Sequence, residues 1–161
     1  MNAIGQDKAM QQLELLVGEW ECVETYHAGG WTEQEVVSTE AKDIIKYGIG
    51  NSYITADYTS KSAMGTYFAY DLIYWDEGKG RYIFSYFDSW GNKQIQEGEW
   101  KDEKTLVFSH TMEMNGQAGE FQRIYSFPSE GKQHLDVQFV IEDGAKQLLV
   151  SIEKTKRAGS L

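Results

Sequence analysis

One cysteine, one proline and no apolar run near the ~18 residues of a membrane span are the first features of this 161-residue sequence. Cys22 has no second thiol to pair with, so no disulfide forms within the chain, in keeping with a reducing compartment. Pro128 stands between Phe127 and Ser129-Glu130-Gly131, a turn signal where it removes no ladder hydrogen bond. Basic residues are few: 15 Lys and Arg face 25 Asp and Glu, a formal net charge of -10. That charge repels phosphate backbones and anionic membranes, which argues against nucleic acid and membrane partners and serves to keep the surface solvated. The first nine residues lack the basic start and apolar centre of a secretory signal, so a cytoplasmic location is expected.

Catalytic and metal signatures are missing as well. The sequence contains no Gly-x-Ser-x-Gly elbow, no phosphate-binding Gly loop and no His-Glu-x-x-His. His27, His110 and His134 lack the i, i+2 or i, i+4 spacing of a metal site. No catalytic or metal-binding residue is therefore assigned. Cys22 lies among Glu19, Glu21 and Glu24, carboxylates that raise a thiol pKa, and reads as a small packed residue.

What the chain does have is apolar and aromatic mass: 41% hydrophobic residues, with seven Phe, ten Tyr and five Trp. This is too rich for disorder, and the length suits one domain over residues 1–161. Asp7 is a candidate N-cap for a helix over about 7–17, whose Met10, Leu13, Leu16 and Val17 share one face and whose stop is Gly18. Beyond it the period falls from near 3.6 to 2. Turn signals recur at Ala28-Gly29-Gly30, Gly48 to Asn51, Ser60 to Gly65, Asp76 to Gly80 and Ser89 to Asn92. They continue at Lys101 to Lys104, Asn115-Gly116, Pro128 to Gly131 and Asp143-Gly144. These breaks divide residues 18–157 into about ten strands joined by short connections. Long sequential hairpins without a crossover predict an all-β, antiparallel up-and-down barrel, closed so that no edge remains.

Gly18-Glu19-Trp20 on the first strand, the helix before it and a cation on the last strand, from Lys154, Lys156 or Arg157, together resemble the calycins, the superfamily of lipocalins and fatty-acid-binding proteins. The resemblance implies that Trp20 closes one barrel end beneath that cation, with Gly18, Trp20 and Arg157 as the signature set. Tyr70-Asp71-Leu72 to Gly91, Glu97-Gly98-Glu99-Trp100 and Arg123 to Phe127 look like a bacterial calycin-like family without assigned activity.

Parity then selects the residues that face the interior. A two-residue turn at Asn115-Gly116 sets His110 opposite Phe121, Phe108 opposite Arg123 and Leu106 opposite Tyr125. A tight turn at Asp102-Glu103 would set Glu97 opposite Phe108 and Glu99 opposite Leu106, bringing both carboxylates to Arg123. Two readings stand: a buried ion pair that fixes packing, or an anion clamp. Arg123-Ile124-Tyr125 is similar to the Arg-x-Tyr that grips the lipid carboxylate in fatty-acid-binding proteins, although there the pair lies on the last strand and here on the eighth.

The leading expectation is a non-enzymatic barrel that binds a small, partly apolar, anionic molecule. Arg123 and Tyr125 hold its charge. Tyr26, Phe84, Tyr86, Phe108, His110, Phe121 and Phe139 form the wall, and Glu97 or Glu99 sets the charge balance. Glu24, on the face of Trp20 and Tyr26, is a further lining residue or a partner for Arg123. No cofactor is required. Two alternatives remain: a haem-binding or enzymatic barrel using His110, as in the ten-stranded nitrobindins, and a packed barrel acting as a homo-oligomer through exterior Trp31 and Trp90.

Overall fold

The computed structural model describes residues 3–159, with only the backbone of residues 3 and 4. Helix α1 (Ala3–Gln12) runs into a 3-10 turn (Leu13–Leu16). Ten strands follow: β1 (Gly18–Tyr26), β2 (Val36–Tyr47), β3 (Tyr53–Ser62), β4 (Gly65–Asp76), β5 (Arg81–Asp88), β6 (Lys93–Asp102), β7 (Thr105–Met114), β8 (Gln117–Ser126), β9 (Lys132–Ile141) and β10 (Lys146–Lys156). Each pairs antiparallel with its neighbours in sequence, and β1 pairs with β10 to close the barrel. Every expected break separates two strands. None of the helices among the described residues is long and apolar enough to cross a membrane.

The helix begins earlier than the sequence suggests, so Asp7 lies within α1 and does not cap it. Tertiary docking sets its place. Ala9, Met10, Leu13 and Leu16 are buried against the barrel end. Each buried apolar side chain of the size of Leu or Met contributes roughly 1.5–3 kcal/mol. Barrel hydroxyls take up carbonyls that the end of a helix leaves without partners: Tyr82 Oη donates to Ala9 O at 2.6 Å and Tyr47 Oη to Met10 O at 2.9 Å. Trp20 Nε1 donates to Leu16 O at 2.8 Å, so the first strand is tied to the segment that plugs its own end. The cation over Trp20 is Lys156, with Nζ 5.8 Å from the ring centroid. Arg157, named from the sequence for that place, instead reaches Glu19 on the outside. Pairing of Trp20 with Lys156 explains the exchange, since Arg157 falls one residue past this position.

Two hairpins decide what faces the interior. At Asn115-Gly116 both residues have positive φ, 52° and 78°, as a type I′ turn requires, and β7–β8 takes the expected register, with Phe108 opposite Arg123 and Leu106 opposite Tyr125. At β6–β7 the expectation fails. Asp102 pairs with Thr105, and an irregularity between Trp100 and Asp102 shifts the ladder, so Phe108 faces Gly98 and Leu106 faces Trp100. Glu97 and Glu99 consequently point outward, paired with Lys79 and with Lys101. Gly98 holds the inward place because a Cβ there would stand 2.3 Å from the Phe108 ring.

A titratable chain lies on the outer face of β9 and β10. His134 Nε2 contacts Asp136 Oδ1 at 2.8 Å, and Nδ1 contacts Glu153. Partial burial alone lowers the His134 pKa, but the bonds and charges of Asp136 and Glu153 outweigh it, and the net shift is upward. A histidine with a raised folded pKa stabilises the fold below its unfolded value near 6.5 and loses that contribution as pH rises through the folded value. The melting temperature of His134→Gln should therefore fall furthest below wild type near pH 5.5 and approach it near pH 8.5. An equal gap at both pH values would refute the linkage.

Candidate functional site

The interior combines an apolar core, continuous from the helix end, with a cluster of buried polar side chains. Trp20, Ile54, Tyr82, Leu106 and Phe127 pack above the helix, and Phe84, Phe108, Phe121 and Phe139 form the next layer. Phe84 and Phe108 are 5.1 Å apart at their ring centroids. Beside these rings lies a chamber of about 60 Å³, lined by Arg123, Tyr125, Asp71, Asp43, Lys154 and Glu24, with Val137, Val150 and Ile152 on its apolar side. A far wider groove of about 1150 Å³ runs outside the barrel beside the helix, past Leu15, Trp100 and Arg157. Its lining is largely exposed side chains, where water competes for every polar contact, so the chamber, lined mostly by buried side chains, is the better candidate.

Arg123 is only 7% exposed. Its guanidinium carbon stands 4.4 Å from the Tyr86 ring centroid, 5.0 Å from that of Phe84 and 5.8 Å from that of Phe121, so aromatic faces surround it, while it hydrogen-bonds the Tyr86 side chain and acts on the nearby Asp71 carboxyl. Such contacts are worth roughly 0.5–2 kcal/mol each. No ion pair among the described residues involves Arg123, and its Nε has no hydrogen-bond partner among them.

The other charges are arranged around it. Lys154 Nζ and Asp43 Oδ2 form a buried pair at 2.6 Å, leaving Asp43 Oδ1 without a partner among the described residues. Asp71 Oδ1 is likewise sealed and unpaired, and burial pushes this carboxyl up to about 7 despite the pull of Arg123. The rest of Asp71 keeps some accessible surface. Because the residue lines the chamber, that exposure is compatible with a carboxyl removed from bulk solvent. Glu24 does not pair with Arg123: Tyr58 Oη donates to it at 2.8 Å and Ser60 Oγ at 2.7 Å. Burial raises the Glu24 pKa, while these hydroxyl donors hold it back. Burial is also the main reason that the Cys22 thiol rises to about 12, ahead of the nearby carboxylates.

The mouth opposite the helix carries two indoles. Trp31 is half-exposed and stacks on Phe121 at 6.1 Å, and Trp90, equally exposed, lies 4.7 Å from Tyr67. Asp88 organises the second: Oδ1 accepts from Trp90 N at 2.9 Å, and Oδ2 accepts from Tyr86 Oη at 3.0 Å and Tyr67 Oη at 3.2 Å.

Of the residues expected from the sequence, Arg123, Tyr125, Tyr26, Phe84, Tyr86, Phe108, Phe121 and Phe139 are brought together inside the barrel. His110 stands near the mouth, 5.5 Å from Phe121. Gln96 Nε2 lies 3.0 Å from its Nδ1. His110 does not line the chamber, and that chamber is far below the roughly 300–1,000 Å³ of pockets for larger ligands, so it does not fit a haem. Sequence reasoning missed Asp43, Asp71 and Lys154. Asp71 carried a signal, since it shares strand parity with the aromatic Tyr67 and Trp75 of β4.

Residues 6–156 match the family described as "Protein of unknown function (DUF1579)". The chain belongs to that family. The expected resemblance to a calycin-like family without assigned activity is borne out. No curated protein matches the sequence. This DUF1579 barrel is similar to the crystal structure of Rv2717c from M. tuberculosis, with a TM-score of 0.67 at 12% identity, covering 92% of this chain and 97% of that one. A de novo designed fluorescence-activating β-barrel also matches, with a TM-score of 0.42 at 13% identity over 89% of this chain and 95% of the design. At these identities Rv2717c speaks for the shared fold of the DUF1579 chain alone.

Proposed function

We propose that the barrel is a binding protein that encloses a compact, partly apolar anion in its chamber, with Arg123 and Tyr125 as the clamp. The observation that carries this reading is the Arg123 guanidinium: buried, ringed by aromatic faces, in no ion pair among the described residues, and with Nε lacking a partner. A buried cation that makes no direct ion pair, and whose neighbouring carboxyl Asp71 is itself pushed towards its neutral form by burial, is expensive, and an anion in the chamber offsets that cost. Tyr125 supports the same end. It lies two residues on along the inward face of β8 and lines the chamber, and its hydroxyl makes no hydrogen bond among the described residues. Burial holds this phenol protonated, as a donor.

Size sets the ligand class. One water requires on the order of 10–15 Å³ of such volume, so about 60 Å³ holds roughly four to six heavy atoms. A long-chain fatty acid does not fit. Calorimetry with acetate, propionate and octanoate should give binding for the short acids and none for octanoate. Arg123→Ala should weaken propionate at least about tenfold, the scale of one charge-assisted bond. Unchanged affinity in a folded Arg123→Ala variant would sink the clamp, as would failure of both short acids to bind wild type.

A further inference from the structure

We infer that the chamber selects a two- or three-carbon acid carrying a hydroxyl beside its carboxylate, with Asp71 as the residue that recognises the hydroxyl. This rests on the clamp proposed above and adds the opposite end of the ligand. Three sealed polar atoms on the chamber wall lack partners among the described residues: Arg123 Nε, Asp71 Oδ1 and Asp43 Oδ1. The first is a donor and the other two are acceptors. Buried polar groups in folded proteins are nearly all satisfied, so three such atoms around one cavity define what must enter it. A bare carboxylate answers Arg123 and Tyr125 but leaves the acceptors unpaired. A carboxylate with an adjacent hydroxyl also brings a donor to the acidic side.

Charge decides between a hydroxyl and an ammonium as that donor. Asp43 is already neutralised by Lys154 at 2.6 Å, and Arg123 supplies a second cation beside Asp71. Burial disfavours the charged forms of Asp71 and Glu24, so an ammonium would meet little counter-charge there and its own desolvation would go uncompensated. A hydroxyl donates without adding charge. Volume agrees: glycolate has five heavy atoms and lactate six, within the roughly four to six that the chamber holds. Val137, Val150 and Ile152 offer an apolar wall suited to a methyl group.

The test is a matched pair differing by one hydroxyl, propionate and lactate, titrated by calorimetry into wild type and Asp71→Leu, with alanine as the ammonium control. Lactate should bind wild type at least about tenfold more tightly than propionate, the range for a hydrogen bond to a charged group. Asp71→Leu should erase that advantage while propionate binding persists. Equal affinities for lactate and propionate would overturn the hydroxyl pole and leave the clamp standing. Should the lactate preference survive Asp71→Leu, the role given to Asp71 fails. Alanine binding more tightly than lactate would overturn the choice of a neutral donor. If neither propionate nor lactate binds, the clamp falls and this inference with it. Folding of Asp71→Leu is checked by thermal melt, and Asp71→Asn, which preserves shape and an acceptor, should retain part of the lactate preference.

Discussion

Lys154→Met should lower the free energy of unfolding by about 3–5 kcal/mol in urea titration, the range for removing one partner of a buried ion pair. The pair is enclosed on every side. Lys154 Nζ lies 2.6 Å from Asp43 Oδ2 and 5.6 Å from the Tyr125 ring centroid, and neither side chain reaches bulk solvent. Taking away the ammonium strands a carboxylate whose other oxygen already lacks a partner. The penalty comes from that uncompensated charge rather than from lost attraction, so removing both charges should be far milder. Lys154→Met with Asp43→Leu should recover most of the stability, because apolar replacement of a whole buried pair is often neutral or better. A double variant no more stable than the single one would mean that the pair earns its place through packing that Met and Leu cannot reproduce.

Phe84→Ala should cost about 3–5 kcal/mol, the usual scale for truncating a fully buried aromatic ring. Phe84 has no exposed surface, packs on Phe108 and Tyr86, and lies beneath the Arg123 guanidinium. Two losses combine there: a cavity in the barrel core and one face of the cation's aromatic cage. Phe84→Leu separates them, since it keeps most of the apolar volume but offers no ring face. A loss in Phe84→Leu close to the roughly 0.5–2 kcal/mol of a cation–π contact, well short of the alanine loss, is expected from denaturant midpoints. Equal losses in the two variants would assign the whole effect to the ring and none to the cavity.

The architecture was largely legible because strong local signals agreed with the global topology. Asn115-Gly116 is the clearest of them. Only a few residue types accept positive φ at two successive positions, so the register of β7 on β8 followed, and with it the inward side of Arg123, Tyr125, Phe108 and Phe121. The β6–β7 connection offered no such marker. Asp102-Glu103 reads as the tip of a turn, but the irregularity beside Lys101 adds a residue, and one residue is enough to move Glu97 and Glu99 from the chamber to the outer surface. Asp43 and Lys154 were hidden for another reason. They come from strands near opposite ends of the chain, and only closure of β1 onto both β2 and β10 brings them together. Charged residues of this kind look like surface until the closing strand pair is known.

That closure has a consequence for the order in which the protein is made. Nine of the strand pairs join neighbours in sequence, whereas Trp20 to Tyr26 pair with Val150 to Lys156, the most distant segments of the barrel. Loop-closure entropy for this last pair is met only after the chain is nearly complete. Until β10 has emerged from the ribosome, β1 and β9 are open edges, with unpaired backbone groups that invite another strand. The same final step brings Lys154 to Asp43 and Lys156 to Trp20, so the inner chamber and the end plug reach their finished form together.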